Sequence, residues 1–382
     1  MEKPKVLFII YSINQSAVGG HFHSLISLTD SLSEDINYII INLGKAFSPI
    51  LKEKKEAFFI QACKRTFFNT CLKLTKIIKE TNPTSIHAFD RISLIYANQA
   101  TFFKNRTLIF TKCGGPNEKT IPYSDISIFF SKENLNYFST KNLFNTEIYF
   151  LPNRVNGIIE QDKNRIEQLK REYQLNGKTI FIRIARFSEL HKISIIQTIN
   201  LFKLYHEKIN KNSKLLLIGV NQSADVTNQI CQKIENLPAF IITSDNYTQN
   251  ASSLLGVADF IVATGRGVME AAGLSNKKLF VPIETSPYPI PITSENFDKL
   301  FHYNFSPRIK GVEIDFDKIY TELKDKTTTI EFINKIFSEY FDINTIKDTY
   351  LTIYNRKAHK PRRKFLLAIY QIKMVLNYFG IG

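Results

Sequence analysis

The chain has 382 residues, more than one hydrophobic core usually supports, so two domains are expected. Its four cysteines, Cys63, Cys71, Cys113 and Cys231, show no CxxC spacing and no nearby histidine pair, which argues against a zinc site or a disulfide framework and fits a reducing cytoplasm. A formal net charge of +15 admits phosphorylated substrates and anionic lipid as partners, but no RNA-binding signature or zinc-finger spacing accompanies it, so nucleic acid is disfavoured.

From the start, short apolar runs alternate with amphipathic stretches. KVLFIIY at residues 5–11 is of strand length, too short for the core of a signal peptide. Residues 20–33 carry Phe22, Leu25, Ile26, Leu28 and Leu32 at helical spacing, and INYIIIN follows, a β-α-β opening. Further strands are expected at AFFI, TSIHAF, RTLIFT, DISIFF and EIYFLP, which begin at Ala57, Thr84, Arg106, Asp125 and Glu147. Continuous apolar strands of this kind suit a parallel sheet covered on both faces. After a charged, helix-prone stretch the rhythm restarts with KTIFIRIAR, a long helix over 194–209, KLLLIG, AFIIT, ADFIVAT and KLFVPI. Beyond Asp298 the chain reads as helices. No segment reaches the roughly 20 uninterrupted apolar residues that span a bilayer.

The class expected is therefore α/β, two successive doubly wound Rossmann-like domains facing each other across a cleft, with a helical tail. Their boundaries fall at residues 1–165, 166–345 and 346–382.

Four segments carry chemistry. AVGGHFHSL follows the first strand, where Gly19 and Gly20 let a ligand approach the backbone and the next helix offers free N–H groups; the same glycines also serve a tight turn. SIHAFD ends a strand and sets His87 and Asp90 at its rim, as a proton-exchanging pair or as a backbone-bonded histidine beside a helix cap. IARFSELHK offers Arg186 and Lys192 to a diphosphate, with His191 between them, or else a solvated basic loop. ATGRGVMEAAG is again strand, glycine turn and helix: Gly265, Arg266 and Gly267 open toward phosphate. Glu270 lies one turn in, where a carboxylate accepts from ribose hydroxyls.

Taken together, these segments resemble the GT-B glycosyltransferases, closest to the large retaining family 4 of bacterial polysaccharide and lipopolysaccharide synthesis. The likeness lies in the order of GGHFHSL, SIHAFDRISLIYA, FLPNRVN, ARFSELHK and GRGVMEAAGL, and it runs to about residue 285. It implies a nucleotide-sugar donor, a UDP-sugar by preference, used as substrate with no cofactor and no metal. By the same resemblance Arg186, Lys192, Gly19, Gly20, Gly265, Arg266 and Gly267 would bind the donor diphosphate and Glu270 the ribose, and His87 and Asp90 would face the reacting centre. The chain departs from the pattern at Val262, eight residues before Glu270, where the family carries a first glutamate, and at Ala185, where it carries glycine before the arginine.

From Arg356 onward there are seven lysines and arginines and no acidic residue. Phe365, Leu366, Ile369, Ile372, Val375, Leu376 and Phe379 then form an apolar stripe at helical spacing. Such a helix suits an anionic membrane surface, and with it a peripheral place on the inner face of the cytoplasmic membrane and a glycan or lipid-linked oligosaccharide acceptor; packing on the N-terminal domain is the alternative. A catalytically silent GT-B partner subunit and a nucleotide-sugar epimerase are the competing functions.

Overall fold

The computed structural model describes residues 2–13, 17, 19–101, 106–156, 161–312, 314–325, 328–357 and 364–380. Val18 of the glycine segment, residues 157–160 after the Pro-Asn segment and the basic cluster at 358–363 lie outside the described residues. The chain divides into two units, Met1–Arg154 with Ile343–Gly382, and Val155–Asp342.

In the first unit, seven parallel strands, β1 (Lys5–Ser12), β2 (Asn37–Gly44), β3 (Ala57–Gln61), β4 (Ser85–Ala88), β5 (Thr107–Lys112), β6 (Ile126–Phe129) and β7 (Glu147–Phe150), lie in the order β3-β2-β1-β4-β5-β6-β7. The side chains of β1 alternate between two cores. Leu7, Ile9 and Tyr11 join the cluster that contains α2 (Phe67–Thr81) and α3 (Arg91–Thr101). Val6, Phe8 and Ile10 join the one that contains α1 (Gly20–Ser31). With both faces covered, β1 has no reason to carry polar residues, which is why it reads as one apolar run. Phe22, Leu25 and Leu28 of α1 are at most 3% exposed, each burial contributing about 1.5–3 kcal/mol. Between β6 and β7 lies α4 (Lys132–Ser139), N-capped by the Ser131 hydroxyl, which accepts from the Asn134 N–H.

The second unit has β8 (Thr179–Ile184), β9 (Ser213–Ile218), β10 (Ala239–Ile242), β11 (Phe260–Val262), β12 (Lys278–Val281) and β13 (Ile290–Pro291) in the order β10-β9-β8-β11-β12-β13. Only β13 runs antiparallel to its neighbour. Its helices are α5 (Lys163–Glu172), α6 (Glu189–Lys208), α7 (Ala224–Ile234), α8 (Asp245–Thr248), α9 (Arg266–Ala272), α10 (Phe297–His302), α11 (Phe316–Lys324) and α12 (Thr328–Ile336). Stacked rings of Phe181 and Phe260, centroids 4.4 Å apart, bind β8 to β11 at the middle of the core.

The unit boundaries differ from the expected ones. Val155 bridges to Asp342 and its N–H donates to the Phe341 carbonyl at 2.9 Å, so residues 155–165 go with the second unit. The last two helices, α13 (Lys347–Tyr354) and α14 (Lys364–Phe379), return to the first. Tyr350, Ile353 and Tyr354 complete one core of that unit, and Val375, Tyr378 and Phe379 pack on the other. Helix α14 thus has an inner side, with Leu367, Gln371 and Met374 at most 8% exposed, and an outer side of Phe365, Leu366, Ile369, Ile372 and Leu376 at 40–78%. Exposed Phe68 of α2 extends that outer side, its ring stacked on Phe379 with centroids 6.4 Å apart. Among the described residues no helix is long and apolar enough to cross a membrane.

Candidate functional site

Each sheet reverses its winding direction once, between β1 and β4 in the first unit and between β8 and β11 in the second. A crevice opens beyond the strand ends at such a reversal, because the connections on either side diverge to opposite faces. All four chemistry-bearing segments of the sequence follow these four strands.

In the first unit, Gly19 caps α1 with extended backbone. A Cβ there would meet the His21 ring at 2.9 Å, whereas at Gly20 it would meet nothing within 4 Å. Packing therefore does not demand glycine at position 20; the surface there is open to a close approach. No acidic residue sits in the first turn of α1, so the positive end of its dipole is unopposed by a local carboxylate. Across the reversal, Asp90 caps α3: its Oδ1 accepts from the Ser93 N–H at 2.8 Å and its Oδ2 from the Tyr11 N–H at 2.7 Å. That tie locks the end of β4 to the end of β1. Burial pushes the carboxyl up to about 6, against the pull of those N–H donors.

His87 is not the exposed group the sequence leads one to expect. It is 0% exposed on β4, with Nδ1 2.9 Å from the Tyr354 hydroxyl and Nε2 2.7 Å from the Thr111 hydroxyl. Burial lowers its pKa to about 3, so it stays neutral. A side chain closed in by β1, β5 and α13 cannot exchange a proton with a substrate; it organises the core below the strand ends.

In the second unit the chain leaves β8 through Ala185 and Arg186 and enters α6 at Glu189. Gly219 permits this path: a Cβ on it would lie 1.8 Å from the Ala185 carbonyl oxygen. Arg186 Nη2 lies 3.3 Å from His191 Nε2, and Lys192 Nζ lies 3.7 Å from the carboxylate of exposed Glu189. Burial first, then the charges of Arg183 and Arg186, lower the His191 pKa to about 4, leaving a neutral imidazole between cations. Arg183, which the sequence reading assigned no role, is 3% exposed on β8. Its signal was available, an arginine inside the apolar run TIFIRI.

Beyond β11, Gly265 adopts φ +52°, a conformation only glycine takes without strain, and its N–H donates to the Phe305 carbonyl at 3.2 Å. The Gly267 and Val268 N–H groups donate to the carbonyls of Thr264 and Gly265. Contrary to the sequence expectation, the turn therefore offers a ligand few free backbone donors, and α9 is only seven residues long. Its side chains pair with one another: Arg266 Nε donates to Glu270 Oε1 at 2.7 Å, both side chains 15% exposed. Pairing of β8 with β11 brings Arg186 and Lys192 to the same end of one sheet as Arg266 and Glu270. Among the described residues no group of three or more histidine, cysteine, aspartate or glutamate side chains is placed to hold a metal ion.

No family profile and no curated protein matches the sequence. The structure does match solved ones. A glycosyltransferase from Rickettsia africae superposes with a TM-score of 0.64 at 16% identity, over 93% of this chain and 98% of that one. HepE of Anabaena, solved with UDP, gives 0.65 at 13% identity over 91% and 99%. A putative UDP-N-acetylglucosamine 2-epimerase from Listeria monocytogenes gives 0.58 at 12% identity over 92% and 95%. The chain has the GT-B fold. Within that fold, the Arg186, Lys192, Arg266 and Glu270 cluster lies in the C-terminal unit and the Gly19, Gly20 and Asp90 cluster in the N-terminal one.

Proposed function

We propose that this GT-B chain is a glycosyltransferase that moves a sugar from a UDP-sugar on its second unit to a glycan acceptor, lipid-linked and destined for a bacterial surface polysaccharide. The observation that carries the reading is the cluster at the β8/β11 reversal, cations suited to a diphosphate beside a carboxylate suited to ribose. HepE, which shares the fold, has been solved with UDP and with UDP-glucose, and this supports the choice of nucleotide.

In this reading Arg186 and Lys192 counter the charge that builds on the leaving diphosphate, an electrostatic term of the kind worth about 2.7–4 kcal/mol for a single donor. Arg266 swings from Glu270 toward the phosphates as the ribose hydroxyls take its place on the carboxylate. Gly20 leaves room for the transferred sugar. Asp90 orients the acceptor hydroxyl and His87 keeps the strands beneath it in register. No protein nucleophile is required, the reaction retains the anomeric configuration, and alignment of donor with acceptor supplies much of the rate. Turnover then survives a chelator; activity lost in EDTA and restored by magnesium or manganese overturns the metal-independent form.

The test of donor binding is a thermal-shift panel of UDP, GDP, CMP and ADP on the wild type and Glu270→Ala. A ligand present at 100 times its Kd stabilises the native state by about 2.7 kcal/mol. A shift with UDP that is lost in the variant supports the site, and no shift with any nucleotide favours a silent partner subunit. The epimerase reading has the Listeria structure on its side. Incubation with UDP-N-acetylglucosamine and no acceptor separates the two, since only an epimerase would form the C2 epimer.

A further inference from the structure

Arg183 is a guanidinium with no carboxylate partner among the described residues, held inside the second unit. Nη1 donates to the Val262 carbonyl at 3.1 Å, Nη2 donates to the Ser194 hydroxyl at 3.1 Å, and Nε is buried without a partner. Desolvation pushes its pKa down to about 10, so it remains charged at neutral pH. An uncompensated buried charge costs several kcal/mol, and a methionine of similar length would fill the same space without that cost. The position of the charge indicates what offsets it. Val262 ends β11 three residues before Gly265, and the Ser194 hydroxyl donates in turn to the His191 carbonyl at 2.7 Å. Arg183 therefore ties the end of β11, which leads to Arg266 and Glu270 on α9, to the first turns of α6, which carry His191 and Lys192 and follow Arg186.

We infer that Arg183 is a positioning residue of the donor site, a buried cation beneath Arg186 and Lys192 whose counter-charge is the diphosphate of the bound nucleotide. This rests on the donor-site reading above. Its effect is double: the planar fork sets the distance between the end of β11 and the start of α6, and its field adds to that of Arg186 and Lys192 where a diphosphate sits. His191 feels the charge of both Arg183 and Arg186 and, held neutral, adds no proton of its own to them.

The test compares wild type, Arg183→Met and Arg183→Lys in the full chain, by thermal unfolding without ligand and by calorimetric titration with UDP and with inorganic pyrophosphate. The expected result for Arg183→Met is a melting temperature equal to or above that of the wild type, with affinity for both ligands at least tenfold weaker. Arg183→Lys, which keeps the charge but loses the fork, should bind about threefold more weakly than wild type. UDP affinity in Arg183→Met within twofold of wild type overturns the inference. So does a fall in the unliganded melting temperature or a failure to fold, because the guanidinium would then serve the empty protein. A wild type that binds neither ligand overturns the donor-site reading itself, a result distinct from these.

Discussion

His87 and Asp90 are neighbours in sequence whose protons respond to acid in opposite directions. Folding holds His87 near 3, below its ordinary 6.5, so beneath pH 6.5 the unfolded chain binds a proton the folded one refuses, and stability falls as pH drops through that window. His191, held near 4, acts with the same sign. The Asp90 carboxyl is raised from 3.8 to about 6, so the folded state binds the extra proton between those values and gains stability as pH falls. Urea unfolding of His87→Gln between pH 6.5 and 4 should therefore show a shallower loss than wild type, by up to about 1.4 kcal/mol for each pH unit. In Asp90→Asn the loss should be steeper. If Asp90 also orients the acceptor, kcat/KM rises through about pH 6 in the wild type and loses that rise in Asp90→Asn. The residue types at these positions were legible in the sequence, but the enclosure of His87 was not. Tyr354, which bonds it, lies 267 residues away, and no local pattern announces such a lid. Arg183 was legible in principle, since a charge inside a strand run must be paired or functional.

At the scale of elements, the central strands were readable because their residues are buried, as on β1, whose two faces join two cores, and this makes them short apolar runs. Two features escaped. β13 is only two residues long and contains a proline, and the order of strands within each sheet depends on pairings the sequence does not display. Two glycines show how the turns hold the proposed donor cluster. Gly219→Ala would drive a methyl group into the Ala185 carbonyl and shift the loop that carries Arg186. Gly265→Ala would place a side chain at φ +52° and ψ −126°. Either should lower stability by about 1–3 kcal/mol and abolish the UDP-induced rise in melting temperature, as differential scanning fluorimetry can check. Helix α14 packs its inner side on the first unit, the alternative set beside the membrane for the tail, while Phe365, Leu366, Ile369, Ile372 and Leu376 on its outer side stay exposed.

For the whole molecule, that outer side is the surface we propose for the membrane. It sets exposed Phe365, Leu366, Ile369, Ile372 and Leu376 beside exposed Lys373, is extended by Phe68, and belongs to a chain of net charge +15. Ile369→Glu with Ile372→Glu leaves the inner side untouched, so the folded protein should float with phosphatidylglycerol vesicles at least fivefold less than wild type. Wild-type protein that ignores such vesicles removes the membrane from the account. The boundary between the units could not be read from sequence, because the pairing that sets it joins Val155 to Asp342 across the entire second unit.

That same discontinuity orders events on the ribosome. Residues Met1–Arg154 emerge first, yet Tyr350, Ile353 and Tyr354, which close their core, are translated only after Val155–Asp342. At about 5–20 residues per second the interval is roughly 10–40 s. The second unit can be complete while the first still exposes a nascent apolar groove, so the part of the protein made first is the last to finish, and the part most in need of a chaperone.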